Sequence, residues 1–250
     1  MLDLVAEVAR RVIENGGETY RAEQLLARTA GAAGMKSCHS FVTPTGIMAS
    51  GDDADGQKSI VRRIERRGIN LGEICRIESL VRNLESGSLP LDAFKTALRR
   101  ETPPRRFTLA IRVLASSWIA ACFALLFGGG SNEFGFALAI GPIITFSGIL
   151  LDRAGIPPYF ERMGNSALVV FLAMAAVAVR PGVDLGSLTS GPLMLLVPGI
   201  AITNSVRDTI EGDLVAGLSR GLEAFLLAAA LAVGAGFALK CGDLIARFAA

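Results

Sequence analysis

Six charged side chains, Arg207, Asp208, Glu211, Asp213, Arg220 and Glu223, stand between an apolar stretch broken by Pro198-Gly199 and a second, longer apolar stretch. Charge beside or within lipid-embedded sequence is costly, and is normally kept for a pathway, a proton relay or a partner charge. The residue types suit two tasks. Arginines can meet a carboxylate, whereas carboxylates can meet an ammonium group or carry a proton, because burial raises a carboxyl pKa. On one helix from Val206 to Leu239, Arg207 would share a face with Glu211, Arg220 with Glu223, and Asp213 with Arg220 two turns on. Proline inside a span frees a carbonyl and glycine lets the chain bend. Beside that break, Thr203, Asn204 and Ser205 offer groups that can hydrogen-bond a polar solute, as broken transmembrane helices do. The plainer readings are a hydrated loop at Arg207–Asp213 and a simple packed kink at Pro198-Gly199.

A second polar group lies near the N-terminus. Glu18, Arg21 and Glu23 fall within Gly16-Gly17-Glu18-Thr19-Tyr20-Arg21-Ala22-Glu23, and Thr43 and Thr45 within Thr43-Pro44-Thr45-Gly46. They form a small polar site if the fold brings them together, and capping and turn chemistry if it does not. His39, the single histidine, reads as structural, and Arg112 as snorkelling to an interface. Asp152, Arg153 and Asp184 read as solvated loop residues. No nucleophile elbow, phosphate loop or metal triad supports an enzyme, a cofactor or a metal. Cys38, Cys75, Cys122 and Cys241 are scattered, with neither disulfide nor zinc spacing. A net charge of +2 leaves no nucleic-acid footprint.

The elements that position these residues fall into two regions. Residues 1–106 carry 17 of the 25 Lys and Arg and 14 of the 23 Asp and Glu; residues 107–250 carry 8 and 9. The composition therefore predicts an α-helical membrane protein, with a small cytoplasmic α+β domain (1–106) followed by a bundle of five transmembrane helices (107–250). In the first region Leu4, Val5, Val8 and Val12 have helical spacing up to Asn15-Gly16-Gly17. A second helix buries Tyr20, Leu25, Leu26 and Ala30 and ends near Gly31 or Gly34. Ser37–Ser50 favours strand, with Pro44 and Gly46 marking an edge, bend or bulge, Gly51–Gly56 a turn, and Ser59–Arg66 a half-buried strand, the two strands making a small hairpin or part of a small sheet. Asn70 caps a helix with Glu73 in the capping-box position, and a shorter helix follows Pro90 before Pro103-Pro104.

The apolar segments are about 107–127, 134–151, 165–179, 185–203 and 214–239; the third is short for a span. Arg99, Arg100, Arg105 and Arg106 precede the first, and Arg153 and Arg162 flank the loop after the second. The positive-inside rule then places the N-terminus in the cytoplasm. Lys240 and Arg247 would fall on the opposite side, against the rule. The start of the chain lacks the basic and apolar regions of a signal peptide.

Taken in order, several of these pieces resemble the threonine/serine exporter family. They are Gly16 through Glu23, Thr43-Pro44-Thr45-Gly46-Ile47, Arg67-Gly68-Ile69-Asn70-Leu71, Val197-Pro198-Gly199 through Asn204, Arg207-Asp208, Gly212-Asp213 and Gly217 through Ala224. The resemblance implies an inner-membrane, multi-pass exporter of small amino acids that uses the proton gradient. It also implies the first half of a two-part system, with a separate second small membrane subunit; a homo-oligomer is a further expectation. Related pairs resemble exporters of dicarboxylates such as succinate. Under this reading Arg207 or Arg220 meets the substrate carboxylate, and Asp208, Asp213 or Glu223 meets an ammonium group or carries the proton. A membrane-anchored hydrolase using the N-terminal domain, or a regulatory subunit of a transporter, are the alternatives.

Overall fold

The computed structural model describes residues 1–53, 56–100, 103 and 107–249. The expectations on Ala54, Asp55, Pro104, Arg105, Arg106 and the side chain of Arg247 fall outside what is described. The chain forms two compact units, Met1–Arg106 with Ile200–Leu222, and Phe107–Gly199 with Glu223–Ala250.

In the first unit, helices α1 (Leu2–Glu14) and α2 (Thr19–Ala32) precede three strands, β1 (Cys38–Thr43), β2 (Gly46–Asp53) and β3 (Gly56–Arg63). Helices α3 (Leu71–Glu85) and α4 (Leu91–Arg99) follow. Val5, Val8 and Val12 recur at helical spacing and are fully buried, with Leu25, Leu26, Ile47, Ile77, Val81 and Phe94 in the same core. The strands form an antiparallel meander in the order β1-β2-β3. Val42, Ile47 and Ala49 face the helices, and Phe41 and Met48 point away, as the two-residue period of a strand requires.

Two sequence expectations are corrected here. The single strand over Ser37–Ser50 is two strands, because Thr43 pairs with Gly46 across a two-residue Pro44-Thr45 turn. The turn assigned to Gly51–Gly56 is narrower, because Gly51–Asp53 continue β2 and Gly56 opens β3. Asn70 does cap α3, its side chain accepting the Glu73 amide, while the Glu73 carboxylate is bound by Arg76 at 2.8 Å.

The remaining helices are α5 (Leu109–Leu126), α6 (Ser131–Arg153), α7 (Pro158–Val179), α8 (Leu185–Leu193), α9 (Gly199–Ile210) and α10 (Leu214–Ala249). Four stretches, within α5, α6, α7 and α10, are long and apolar enough to cross a membrane. The expected fourth span, 185–203, is instead divided between α8 and α9. Pro198 has no amide hydrogen to continue a helix, and Met194, Leu195 and Leu196 turn tightly through bonds to the carbonyls of Gly191, Pro192 and Leu193. The third segment is longer than expected: α7 begins at Pro158, a favoured first helical residue, and takes in Glu161 and Arg162. In the second unit Ala120, Ala124, Ala137, Ile144, Val169, Ala173 and Leu188 form the core. Small residues set its spacing, since a Cβ on Gly141 would meet the Ser116 carbonyl oxygen at 2.5 Å and one on Gly191 the Ala120 oxygen at 2.6 Å.

Helix α10 is 36 residues long, about 54 Å at 1.5 Å per residue. That exceeds a hydrocarbon layer of about 30 Å. Its first turns, Leu214–Leu222, belong to the first unit and the rest to the second.

Candidate functional site

The first unit gathers charges that are far apart in sequence. The site begins where α1 stops. Gly16 takes φ +87°, open to glycine at little cost, and a Cβ there would meet the Gly68 oxygen at 2.9 Å. The Gly16-Gly17 turn leaves two successive carbonyl oxygens without helical partners. Asn204 of α9 donates its Nδ2 to the Gly16 oxygen at 3.1 Å, and Arg220 of α10 donates Nη2 to the Gly17 oxygen at 2.8 Å.

Helix α2 starts one residue later. Glu18 is its N-cap but makes no side-chain capping bond, so the orphan amides of the first turn need other acceptors. Asp208 supplies one. Its Oδ1 accepts the Thr19 amide at 3.1 Å and its Oδ2 the Thr19 hydroxyl at 3.2 Å. Arg220 Nε lies 3.0 Å from the same Oδ2. Asp208 has no exposed surface and Arg220 is 8% exposed. Arg207, on the next position of α9, pairs with Glu18, which also meets Arg21 at 3.3 Å. Three arginines and two carboxylates thus gather around the positive end of α2.

A short turn returns the chain from α9 to α10. Gly212 sits at φ +95°, so Val206–Leu239 is two helices rather than the one assumed for the charge stripe. Arg207 consequently pairs with Glu18 and not with Glu211, and Arg220 reaches back to Asp208. Gly217 permits the close approach: a Cβ there would lie 3.0 Å from the Thr209 amide nitrogen and 3.1 Å from the Ser205 oxygen. Ser205 donates its hydroxyl to the Gly217 oxygen at 2.7 Å.

Beside this lattice are two carboxyls pushed toward protonation. Burial is the largest cause at Asp213, with the charges of Asp208 and Glu211 adding to it, and its pKa is raised. Glu23 is also raised, first by burial and then by Asp213, against the Val42 amide that bonds its Oε1 at 2.8 Å. Asp213 Oδ2 is buried without a hydrogen-bond partner among the described residues. Asp213 also lines a cavity of about 140 Å³ together with Phe41, Val42, Leu214 and Val215.

Of the residues singled out in the sequence, Glu18, Arg21, Asn204, Arg207, Asp208 and Arg220 meet here. Thr43 and Thr45 do not join them. The Thr43 hydroxyl donates to the Gly46 oxygen at 3.1 Å and accepts the Gly46 amide at 3.0 Å, closing the β1–β2 turn. Pro198, Gly199 and Glu223 belong to the second unit, Pro198 and Gly199 at the α8–α9 break and Glu223 on α10. Thr19 was missed: a threonine at a helix start signals a local cap, and nothing local shows that its partner lies 189 residues on. Glu133 was missed as well. It is 5% exposed and accepts the amides of Gly130 and Asp184 at 2.7 and 2.8 Å, joining the starts of α6 and α8.

Four long apolar helices have the length and composition to cross a membrane, as in a polytopic membrane protein. The family described as "Putative threonine/serine exporter" matches residues 3–242, and the chain belongs to that family. It is 24% identical over 237 residues to the "Probable threonine/serine exporter" of Mycobacterium tuberculosis, covering 94% of this chain and 45% of that protein. It is 19% identical over 255 residues to the "Threonine/serine exporter" of Corynebacterium glutamicum, covering 98% of this chain and 52% of that one. The chain thus spans about half the length of these curated relatives. No solved structure matches it.

Proposed function

We propose that this chain is a subunit of a bacterial inner-membrane exporter of small amino acids such as threonine and serine. In this reading it works with a second small membrane subunit, its N-terminus is cytoplasmic, and export is coupled to protons. Family membership and the four candidate spans support the class. The observation that carries the substrate reading is the paired arrangement of opposite charges at the start of α2. An amino acid needs one cationic and one anionic partner. Arg207 and Arg220 supply the first, and Glu18 and Asp208 the second.

Asp208 itself occupies a carboxylate site, held by an amide, a hydroxyl and a guanidinium. A substrate carboxylate is complementary to the same donors once Asp208 withdraws. Asp213 and Glu23, whose pKa values burial raises, are the proton carriers in this scheme, because a raised pKa makes a carboxyl readier to hold a proton. A dicarboxylate would need mainly the cationic partners, so the buried carboxylates favour the amino acid.

The test is efflux of labelled threonine, serine and succinate from loaded cells, with and without this chain and its second subunit. Faster loss of threonine and serine is expected. Faster loss of succinate alone would replace the amino acid by a dicarboxylate, and no change for any of the three would remove the exporter reading.

A further inference from the structure

The charges of the first unit are largely satisfied by one another, whereas polar capacity stands unused on one candidate span of the second. Arg162, Asn165, Ser166, Val169 and Ala173 are spaced as one face of α7. Asn165 and Ser166 are 1% and 0% exposed. Ser166 is satisfied, its hydroxyl donating to the Met163 oxygen at 2.9 Å. Asn165 is half satisfied: its Nδ2 donates to Glu161 Oε1 at 3.1 Å, but its Oδ1 is buried with no partner among the described residues. One turn earlier, Arg162 Nε is likewise buried without a hydrogen-bond partner. Asn165 lies seven residues into α7 from Pro158, about 10 Å along the axis, and so within the candidate span.

Helix α6 approaches these groups closely at a glycine. On α6, a Cβ on Gly148 would stand 3.3 Å from Glu161 Oε1 and 3.6 Å from Asn165 Nδ2. Orphaned polar atoms at such a place are costly, and each calls for an explanation. The pair is chemically specific. An unspent guanidinium N–H is a donor to a carboxylate, and an unspent amide oxygen beside a glutamate carboxylate is an acceptor for an ammonium.

We infer that Arg162, Asn165 and Glu161 form a head-group station for an α-amino acid inside the membrane half, with Arg162 on the carboxylate and Asn165 and Glu161 on the ammonium. This rests on the exporter reading and assigns that reading a substrate-contacting site within a candidate span. It explains why α7 carries charge one turn into an otherwise apolar helix, where the plainer role of an interfacial arginine leaves the buried Nε and the Asn165 oxygen unexplained.

Binding to the purified full chain tests it, with labelled L-threonine as probe. Threoninol, which lacks the carboxylate, and N-acetylthreonine, which lacks the ammonium, serve as competitors. The wild-type chain should prefer threonine to each competitor by tenfold or more. Arg162→Gln should erase the preference over threoninol and keep that over N-acetylthreonine, while Asn165→Leu should do the reverse. These ratios, unlike overall affinity, do not move when a variant is merely less stable. Arg162→Lys, which keeps charge but loses the planar fork, should retain only part of the preference. If the wild type discriminates and Arg162→Gln discriminates equally, the station is wrong and the exporter reading stands. Loss of the preference over threoninol in Arg220→Ala, with Arg162→Gln unchanged, would leave the charges at α2 as the head-group site and overturn the station. A wild-type chain that binds no threonine overturns the station, while the exporter reading is decided by the efflux test.

Discussion

Asp208 is the residue on which the first unit's charge lattice turns. It binds Thr19 twice and Arg220 once, with no surface exposed to water. Removing one member of a buried pair leaves the other uncompensated, at a cost of about 3–5 kcal/mol. Asp208→Ala should therefore lower the thermal midpoint of the purified protein far more than Thr19→Val, which loses one hydroxyl bond to a charged group worth about 1.5–3 kcal/mol. Equal small shifts would mean that the lattice contributes little. Asp213 and Glu23 give a pH signature of known sign. Both have folded pKa values above their ordinary ones, so the folded state binds more protons than the unfolded one. Their contribution is fully present below the ordinary carboxyl range, roughly pH 4, and is lost as pH rises through the raised values. Asp213→Asn should flatten that decline in a thermal-midpoint titration, and an unchanged slope would contradict it.

At the scale of elements, the α9–α10 turn decides which charges meet. Gly212 has positive φ, and an L-residue there costs roughly 1–2 kcal/mol. Gly212→Ala should destabilise the protein by about that amount, and Gly212→Asn by less. Gly217→Val should do more harm, because its side chain would collide with the Ser205 and Thr209 backbone and separate Arg220 from Asp208; a thermal midpoint close to wild type would argue against this seam.

This turn also explains what the sequence could and could not reveal. Leu4, Val5, Val8 and Val12, the Asn70 cap and the long apolar runs were legible because each is a local pattern. The end of β1 was hidden because β-branched residues continue through Thr43-Pro44-Thr45 and mask a hairpin turn. The division of 185–203 was signalled by Pro198-Gly199, but hydropathy alone joined the two sides. Charge types at Glu18, Arg207, Asp208 and Arg220 were visible, yet their pairing was not. It depends on the Gly16-Gly17 turn and the Gly212 turn acting together across 189 residues or more.

For the whole molecule, the chain divides its chemistry between a unit with a largely self-satisfied lattice of opposite charges and a unit that holds three membrane-capable stretches and most of the fourth. In the proposed exporter the lattice at α2 serves transport and is more than a structural clasp. Initial rates of labelled-threonine efflux from proteoliposomes holding this chain and the proposed second subunit test that most directly, comparing wild type with Arg220→Ala at equal reconstituted amount. Arg220→Lys serves as the charge-retaining control. A fall of tenfold or more is expected for Arg220→Ala, with partial retention in Arg220→Lys. Efflux in Arg220→Ala at the wild-type rate would contradict it.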